Sequence, residues 1–569
     1  MARVRKPVAP KGDVQAEETC HQKVPDLPVE LWLQIAEFLK PEDKVRLLGV
    51  NRLFFELAMD QLYRNLSLVS SDIGVFIEAM NTLKNPTVAR RVRTVTIWPN
   101  SMLAAINSDK NQFERLHRRA AQVAQRVESE GFLSRMKRKV IKNDVQPPVS
   151  TSNTFLPRLE RKKLFIEGMA RLSNVEEVAV YLGKYAGIPT LIDTNFLSEC
   201  MQALWASVRQ TARCVSFDIP TSAFDSIAQA TMDNLPSQLF RLELLLRCPT
   251  KRLPPVAELA NLASPVATFV KTAFDTVDTL KSLKLFADIP GLYEALPVIP
   301  QMRCLALEDS VLLRRAGENG SKLHEFLVKN TQLEDLTLII SYWPCPPISP
   351  TEERVLPNLK KLAIALPDRL FKCSRSAAFL SSISQNVTEL TLKSLSYYSD
   401  LKVLFDILSR ADRETGTRTT QLRKLEVTLS ELSPASISLI AKWCPHLADL
   451  KLTITLLVEQ DQTEQFEPSS LIYRRESNQD GFIKGVVQSA RDQRHSGAFR
   501  SWALNDLTIK QWVYGQGQTH NWEAMSAIAS VTPSITSFVN RGHMRKAGLS
   551  DFDTKLRVID IGKRSEVWT

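Results

Sequence analysis

The chain has 569 residues, 44% hydrophobic and 24% charged, with a formal charge of +11; the length exceeds one compact core, so several domains or an elongated repeat are expected. No stretch reaches the ~18 uninterrupted apolar residues of a membrane span, and the first residues lack the apolar middle of a secretory signal, so a cytoplasmic or nuclear protein is expected. Ten Lys or Arg against three Glu between Lys110 and Lys142 supply +7 of the charge, so the basic excess belongs mainly to one segment rather than to the whole surface.

In chain order, residues 1–24 read as a disordered basic tail. Pro28 suits the first position of a helix, where its missing N–H is no loss. From there Leu31, Ile35, Phe38 and Leu39 fall on one apolar stripe. Pro41 stops that helix and starts a second carrying Val45, Leu47 and Leu48, and Asn51 is placed to cap a third with Leu53, Phe54 and Leu57. Three helices in about 45 residues make too small a unit for a core of their own. One reading is a helical cap on whatever follows.

The residues also resemble a family, the F-box. Its Leu-Pro-x-Glu-Leu opening, the Ile and Leu further along the first helix, the Pro-x-Asp before the second and the Val with a basic residue beyond it stand here as Leu27, Pro28, Glu30, Leu31, Ile35, Leu39, Pro41, Asp43, Val50 and Arg52. The "LYRNL" that follows is similar to the exit of fungal F-boxes. The resemblance covers residues 25–69. It implies that Leu27, Pro28, Glu30, Leu31, Ile35, Leu39, Leu47, Leu48 and Val50 contact a small Skp-type adaptor, which joins the chain to a cullin.

Downstream, a short phrase recurs: an apolar residue, a second three positions on and a third two beyond that. It begins at Val92, Val175, Leu239, Leu280, Met302, Leu333, Leu359, Val387, Leu422, Leu447, Leu504 and Leu556, with Ala212 a weaker member. The last two apolar positions alternate as in a half-buried strand, and helical patterns lie between, the clearest opening at Ser433 and Pro434. From Leu280 to Leu447 the starts advance by 22, 31, 26, 28, 35 and 25 residues, straddling the ~20–29 residue period of leucine-rich repeats. Residues 70–569 resemble that family, although the Asn or Cys it carries after the strand is mostly missing. An α/β domain with a parallel sheet is the competing reading. The expected fold class is therefore α/β: an N-terminal three-helix F-box followed by an irregular leucine-rich-repeat-like solenoid, one strand and one helix per repeat.

Reading the residue before each phrase's last apolar position gives Ala179, Glu243, Lys284, Ala306, Thr337, Ala363, Thr391, Glu426, Lys451 and Thr508 for the inner surface, a mixed set suited to a protein ligand. Two stretches break the rhythm. A basic helical insert is expected at about 100–160, reading either as solvated surface or as a contact for an acidic partner or a nuclear-import signal. A polar, irregular loop is expected at about 456–500.

The eight cysteines and seven histidines are scattered without metal-ligand spacing, no phosphate loop, HExxH or GxSxG occurs, and no catalytic constellation emerges. No cofactor, metal or membrane is called for. The resemblance implies a substrate-recognition subunit of a Skp-cullin-F-box ubiquitin ligase in the ubiquitin-like conjugation pathway: no enzyme itself, but the holder of an unidentified protein target. A non-degradative scaffold and, on the basic segment alone, a nucleic-acid binder are the alternatives.

Overall fold

The computed structural model describes residues 27–39, 41–47, 51–107, 156–182, 194–247, 260–287, 289, 291–308, 319–339, 355–365, 374–396, 398–411, 418–459, 478–492, 498–513 and 517–539. The chain divides into two compact units between Arg64 and Asn65.

The second unit is built on one long sheet. Its strands are β1 (Asn65–Leu68), β2 (Thr94–Ile97), β3 (Glu177–Tyr181), β4 (Cys214–Pro220), β5 (Arg241–Arg247), β6 (Ser282–Ala287), β7 (Cys304–Glu308), β8 (Asp335–Ile339), β9 (Lys361–Ile364) and β10 (Glu389–Ser396). A two-stranded ribbon, β11 (Arg410–Ala411) and β12 (Arg418–Thr419), interrupts them before β13 (Lys424–Leu432), β14 (Asp449–Leu457), β15 (Asp506–Val513), β16 (Gly517–His520) and β17 (Ser537–Phe538). From β1 to β10 and on through β13, β14 and β15, each strand pairs in parallel with the next in sequence. Because parallel crossovers are right-handed and the order never reverses, the connecting helices fall on one face and, among the described residues, leave the other without helices.

The recurring phrase is what holds this arrangement. Its second positions stand side by side across the sheet: Val95, Val178, Val215, Leu242, Leu283, Leu305, Leu336, Leu362, Leu390, Leu425, Leu450 and Leu507 are register partners in turn. All three positions of every phrase from Val92 to Ile509 are no more than 3% exposed. Slipping any strand by one residue would turn that apolar set to the open face, so the register is strongly specified. The "weaker" member at Ala212 forms a full strand, β4; the phrase at Leu556 lies outside the described residues.

Of the parallel strands, two depart from the phrase. In β1, Leu66 and Leu68 align with Val95 and Ile97, so the sheet begins at Asn65, in the stretch that leads out of the helical cluster. In β17, Phe538 aligns with Leu507 and Ile535 is buried, but the third position, Asn540, is polar.

The entry to each strand is stereotyped. The first apolar residue closes a tight turn with its N–H on the carbonyl three residues back, as in Leu239 to Pro236 (3.2 Å), Met302 to Ile299 (3.1 Å) and Leu447 to Cys444 (3.1 Å). The next N–H then reaches the equivalent carbonyl of the preceding repeat. Arg93, Glu176, Arg213, Phe240, Lys281, Arg303, Glu334, Lys360, Thr388, Arg423, Ala448, Asn505 and Thr536 are joined this way without a break. A side chain just before the phrase adds a second link: Asn174 donates to the Arg90 carbonyl (2.9 Å), Thr279 to Leu239 (2.8 Å), Asn358 to Thr331 (3.2 Å), Asn386 to Pro357 (2.5 Å) and Ser534 to Trp502 (2.7 Å). The polar ladder sought after the strand is therefore found before it, where it satisfies carbonyls left open by the turns.

Both stretches that break the rhythm are partly core. At one end of the 100–160 insert, helix Pro99–Asn107 buries Met102, Ala105 and Ile106; at the other, helix Arg158–Met169 buries Leu164 and Phe165. Arg161, 1% exposed, donates to the Ala105 carbonyl at 2.6 Å and ties the two ends together. The basic run Lys110–Lys142 lies outside the described residues, as do residues 1–24. Within the expected 456–500 loop, β14 continues to Leu457 and Gln479–Asp492 is a helix. Asn478 caps it by accepting from the Gly481 N–H (3.0 Å), and Phe482 and Val486, one turn apart, are buried. Ile483, Val487 and Ala490 flank them against the core, so the helix carries a full apolar face inside a segment whose overall composition is polar.

Candidate functional site

The first unit contains helices Val29–Phe38, Pro41–Arg46 and Arg52–Tyr63. Pro28 is the N-cap of the first, one position earlier than expected, its carbonyl accepting from the N–H groups of Leu31 (3.0 Å) and Trp32 (3.2 Å). Asn51 caps the third as expected, accepting from the Phe54 N–H at 2.9 Å. The inward side of the first helix is Trp32 and Ala36, one turn apart: Ala36 is buried, and the Trp32 ring meets the buried Phe54 edge to face at 5.5 Å.

That orientation decides where the apolar residues of the first helix lie. Leu31 and Ile35 do not face inward; with Leu27, again one turn apart, they form a row flanking the inward side and are 42%, 39% and 41% exposed. Val29 and Leu33 lie exposed on the opposite flank. The sequence signal was ambiguous because this helix is apolar almost all round, and two stripes compete for the small interior supplied by Phe54 and Ala58. Of the other expected contact residues, Pro28 and Glu30 are exposed, Leu39 and Leu47 are half-buried, and Leu48 and Val50 lie outside the described residues. Glu30 sits in the first turn, where a carboxylate opposes the helix dipole favourably. Such a row can bind only by covering apolar area; it offers no nucleophile or acid–base pair.

The helix-free face of the sheet is the second surface on which function could rest. The expected inner residues lie there, half-buried except for Thr508, which is buried. One row earlier stands a set not singled out from sequence: Asp335, Lys361, Glu389, Lys424 and Asp449, alternating in sign across β8, β9, β10, β13 and β14 and aligned in register. Lys361 meets Glu389 at 3.0 Å and Lys424 meets Asp449 at 3.4 Å, while Glu426 and Lys451 pair at 3.0 Å in the next row. The hydrogen bond to Glu389 pushes the Lys361 ammonium above its usual range; burial raises the Asp335 carboxyl against the opposing pull of Lys361. These groups neutralise one another and leave little free field.

Elsewhere on this face, burial pushes the Cys214 thiol up to about 11 and raises Cys304, so neither is a thiolate at neutral pH. Asp218 is 7% exposed and meets Arg247 at 2.6 Å; burial still raises its carboxyl, the arginine opposing. Among the described residues, no group of three or more His, Cys, Asp or Glu is placed to hold a metal ion. No helix there is long and apolar enough to cross a membrane.

The model of the F-box-like family matches residues 24–69. The chain has no match among curated proteins. The N-terminal segment is thus an F-box-like domain, and domains of this kind typically bind Skp-type adaptors. The matched segment runs past the division at Arg64 to include β1, so the family pattern and the first strand of the sheet share Asn65–Leu68.

Proposed function

We propose that the chain is a substrate-recognition subunit of a Skp-cullin-F-box ubiquitin ligase, in which the F-box-like domain docks on the Skp-type adaptor and the sheet unit holds a protein target. The observation that carries this reading is the exposed row Leu27, Leu31 and Ile35 inside the matched segment. A surface of this size held open to water on a unit with so small an interior is accounted for by a partner that covers it. The sheet unit is read as a leucine-rich-repeat-like solenoid, supported by the in-register apolar rows and the repeated turn. On this reading ubiquitin transfer is performed by another subunit, the chain is no enzyme, and it works in the cytoplasm or nucleus, where cullins act. The test is co-purification with the adaptor: Leu31→Asp with Ile35→Asp abolishes capture while the sheet unit keeps its melting transition, and undiminished capture refutes the docking row. Ubiquitylation of a bound protein in a reconstituted ligase separates the receptor from a scaffold that only holds it.

A further inference from the structure

The alternation of charge that quiets β8 to β14 fails in β4 to β7. At the strand entries of this block stand Arg213 and Cys214, Phe240 and Arg241, Lys281 and Ser282, Arg303 and Cys304: four cations and no acid in eight consecutive register positions. They are true neighbours. The Phe240 N–H bonds the Arg213 carbonyl (2.7 Å), Lys281 bonds Phe240 (3.1 Å) and Arg303 bonds Lys281 (2.8 Å), while Cys214, Arg241, Ser282 and Cys304 follow one another in register. Arg241 leans on Glu243 of its own strand (3.7 Å) and Arg303 on Glu334 (4.0 Å). Arg213 and Lys281 are exposed and have no carboxylate partner among the described residues. Between them Phe240 is 44% exposed. Like charges in adjacent strands are destabilising, and here Lys281 stands directly beside Arg303.

The block is bounded by acid pairs, Glu176 and Glu177 at the entry of β3 and Glu334 and Asp335 at that of β8. From β4 to β7 it covers three strand spacings, about 14 Å, the reach of roughly four residues of extended chain. A long polyanion such as RNA would overrun it onto carboxylates at both ends; a short acidic peptide would not. We infer that the amino-terminal edge of the sheet across β4–β7 is a docking strip for a short acidic protein segment, whose carboxylates meet Arg213, Arg241, Lys281 and Arg303 while an apolar side chain beside them covers Phe240. This rests on the reading of the sheet unit as the part that holds a protein target and gives that target a chemistry.

The test is fluorescence anisotropy of the full chain with a fluorescein-labelled peptide of Asp and Glu around one central Leu. Wild type binds, and added salt weakens binding. R213E with K281E weakens it at least about tenfold, since charges opposite an acidic partner are reversed; F240A weakens it by a smaller factor, and R423E, at the same edge but at the entry of β13, leaves it unchanged. All these positions are exposed, and an unchanged melting temperature confirms that the variants fold. The strip is overturned if wild type does not bind the peptide, if R213E with K281E binds it as wild type does, or if an oligouridylate RNA binds more tightly than the peptide. Adaptor capture is measured on the same preparations: its loss in wild type with peptide binding intact would strike the ligase reading and leave the strip standing.

Discussion

The two units handle the same residue types in opposite ways. In the sheet unit, twelve consecutive phrases bury every member, and on the open face of β8 to β14 charged side chains pair with one another. In the F-box-like unit, Leu27, Val29, Leu31, Leu33 and Ile35 are all more than a third exposed, although they sit on a regular helix. A repeat can always bury its apolar side against the next repeat. Three helices with one inward aromatic pair cannot, and these side chains stay uncovered. Apolar content alone therefore says little about role; the supply of intramolecular partners decides it.

The sharpest way to break the contrast is to cut the same chemistry in each unit. Leu390→Ala in the sheet removes a side chain 1% exposed and should cost about 2–5 kcal/mol of stability, read as a lowered denaturation midpoint. Leu31→Ala should leave stability within about 0.5 kcal/mol, as expected for an exposed position, and weaken adaptor binding measured by calorimetry. Equal destabilisation by the two would mean that the first helix is buried after all.

A smaller effect tests the side-chain ladder. Asn386→Ala removes the donor to the Pro357 carbonyl and should cost about 1–3 kcal/mol if that carbonyl is left without a partner. A stability unchanged from wild type in urea denaturation would show that the main-chain ladder carries the stack alone.

His324 gives a pH signature. It is 8% exposed, lies edge-on to Phe379 at 5.6 Å, and burial holds its imidazole below the usual 6.5. The unfolded chain therefore takes up this proton first. The residue makes no demand on stability above its unfolded value and lowers stability as the pH falls through and below 6.5. Thermal unfolding followed from pH 7.5 to 5.5 should show that loss, and His324→Gln, which cannot titrate, should flatten it whatever its absolute stability.

The least effect is expected from the charge ladder. The Lys361–Glu389 pair is half exposed, and a double-mutant cycle on it should give a coupling of about 0.2–1 kcal/mol that vanishes in high salt. A coupling several times larger would make the open face a source of stability rather than a neutral surface.

Sequence alone determined the apolar rows of the sheet and the helical pattern of the N-terminal cluster, because both depend on local spacing that a strand or helix imposes on its own residues. It located Asn51 as a cap and the strand at almost every phrase. It did not reveal β17, which carries only two of the three apolar positions, nor the helix at Gln479–Asp492, whose apolar face of Phe482, Ile483, Val486, Val487 and Ala490 is set in a stretch of polar composition. Which stripe of the first helix turns inward was decided by Phe54 and Trp32 meeting in space. The alternating charges of β8 to β14 and the broken alternation in β4 to β7 were decided by tertiary structure as well: repeats of unequal length bring these residues side by side, and only strand pairing converts scattered positions into adjacent charges.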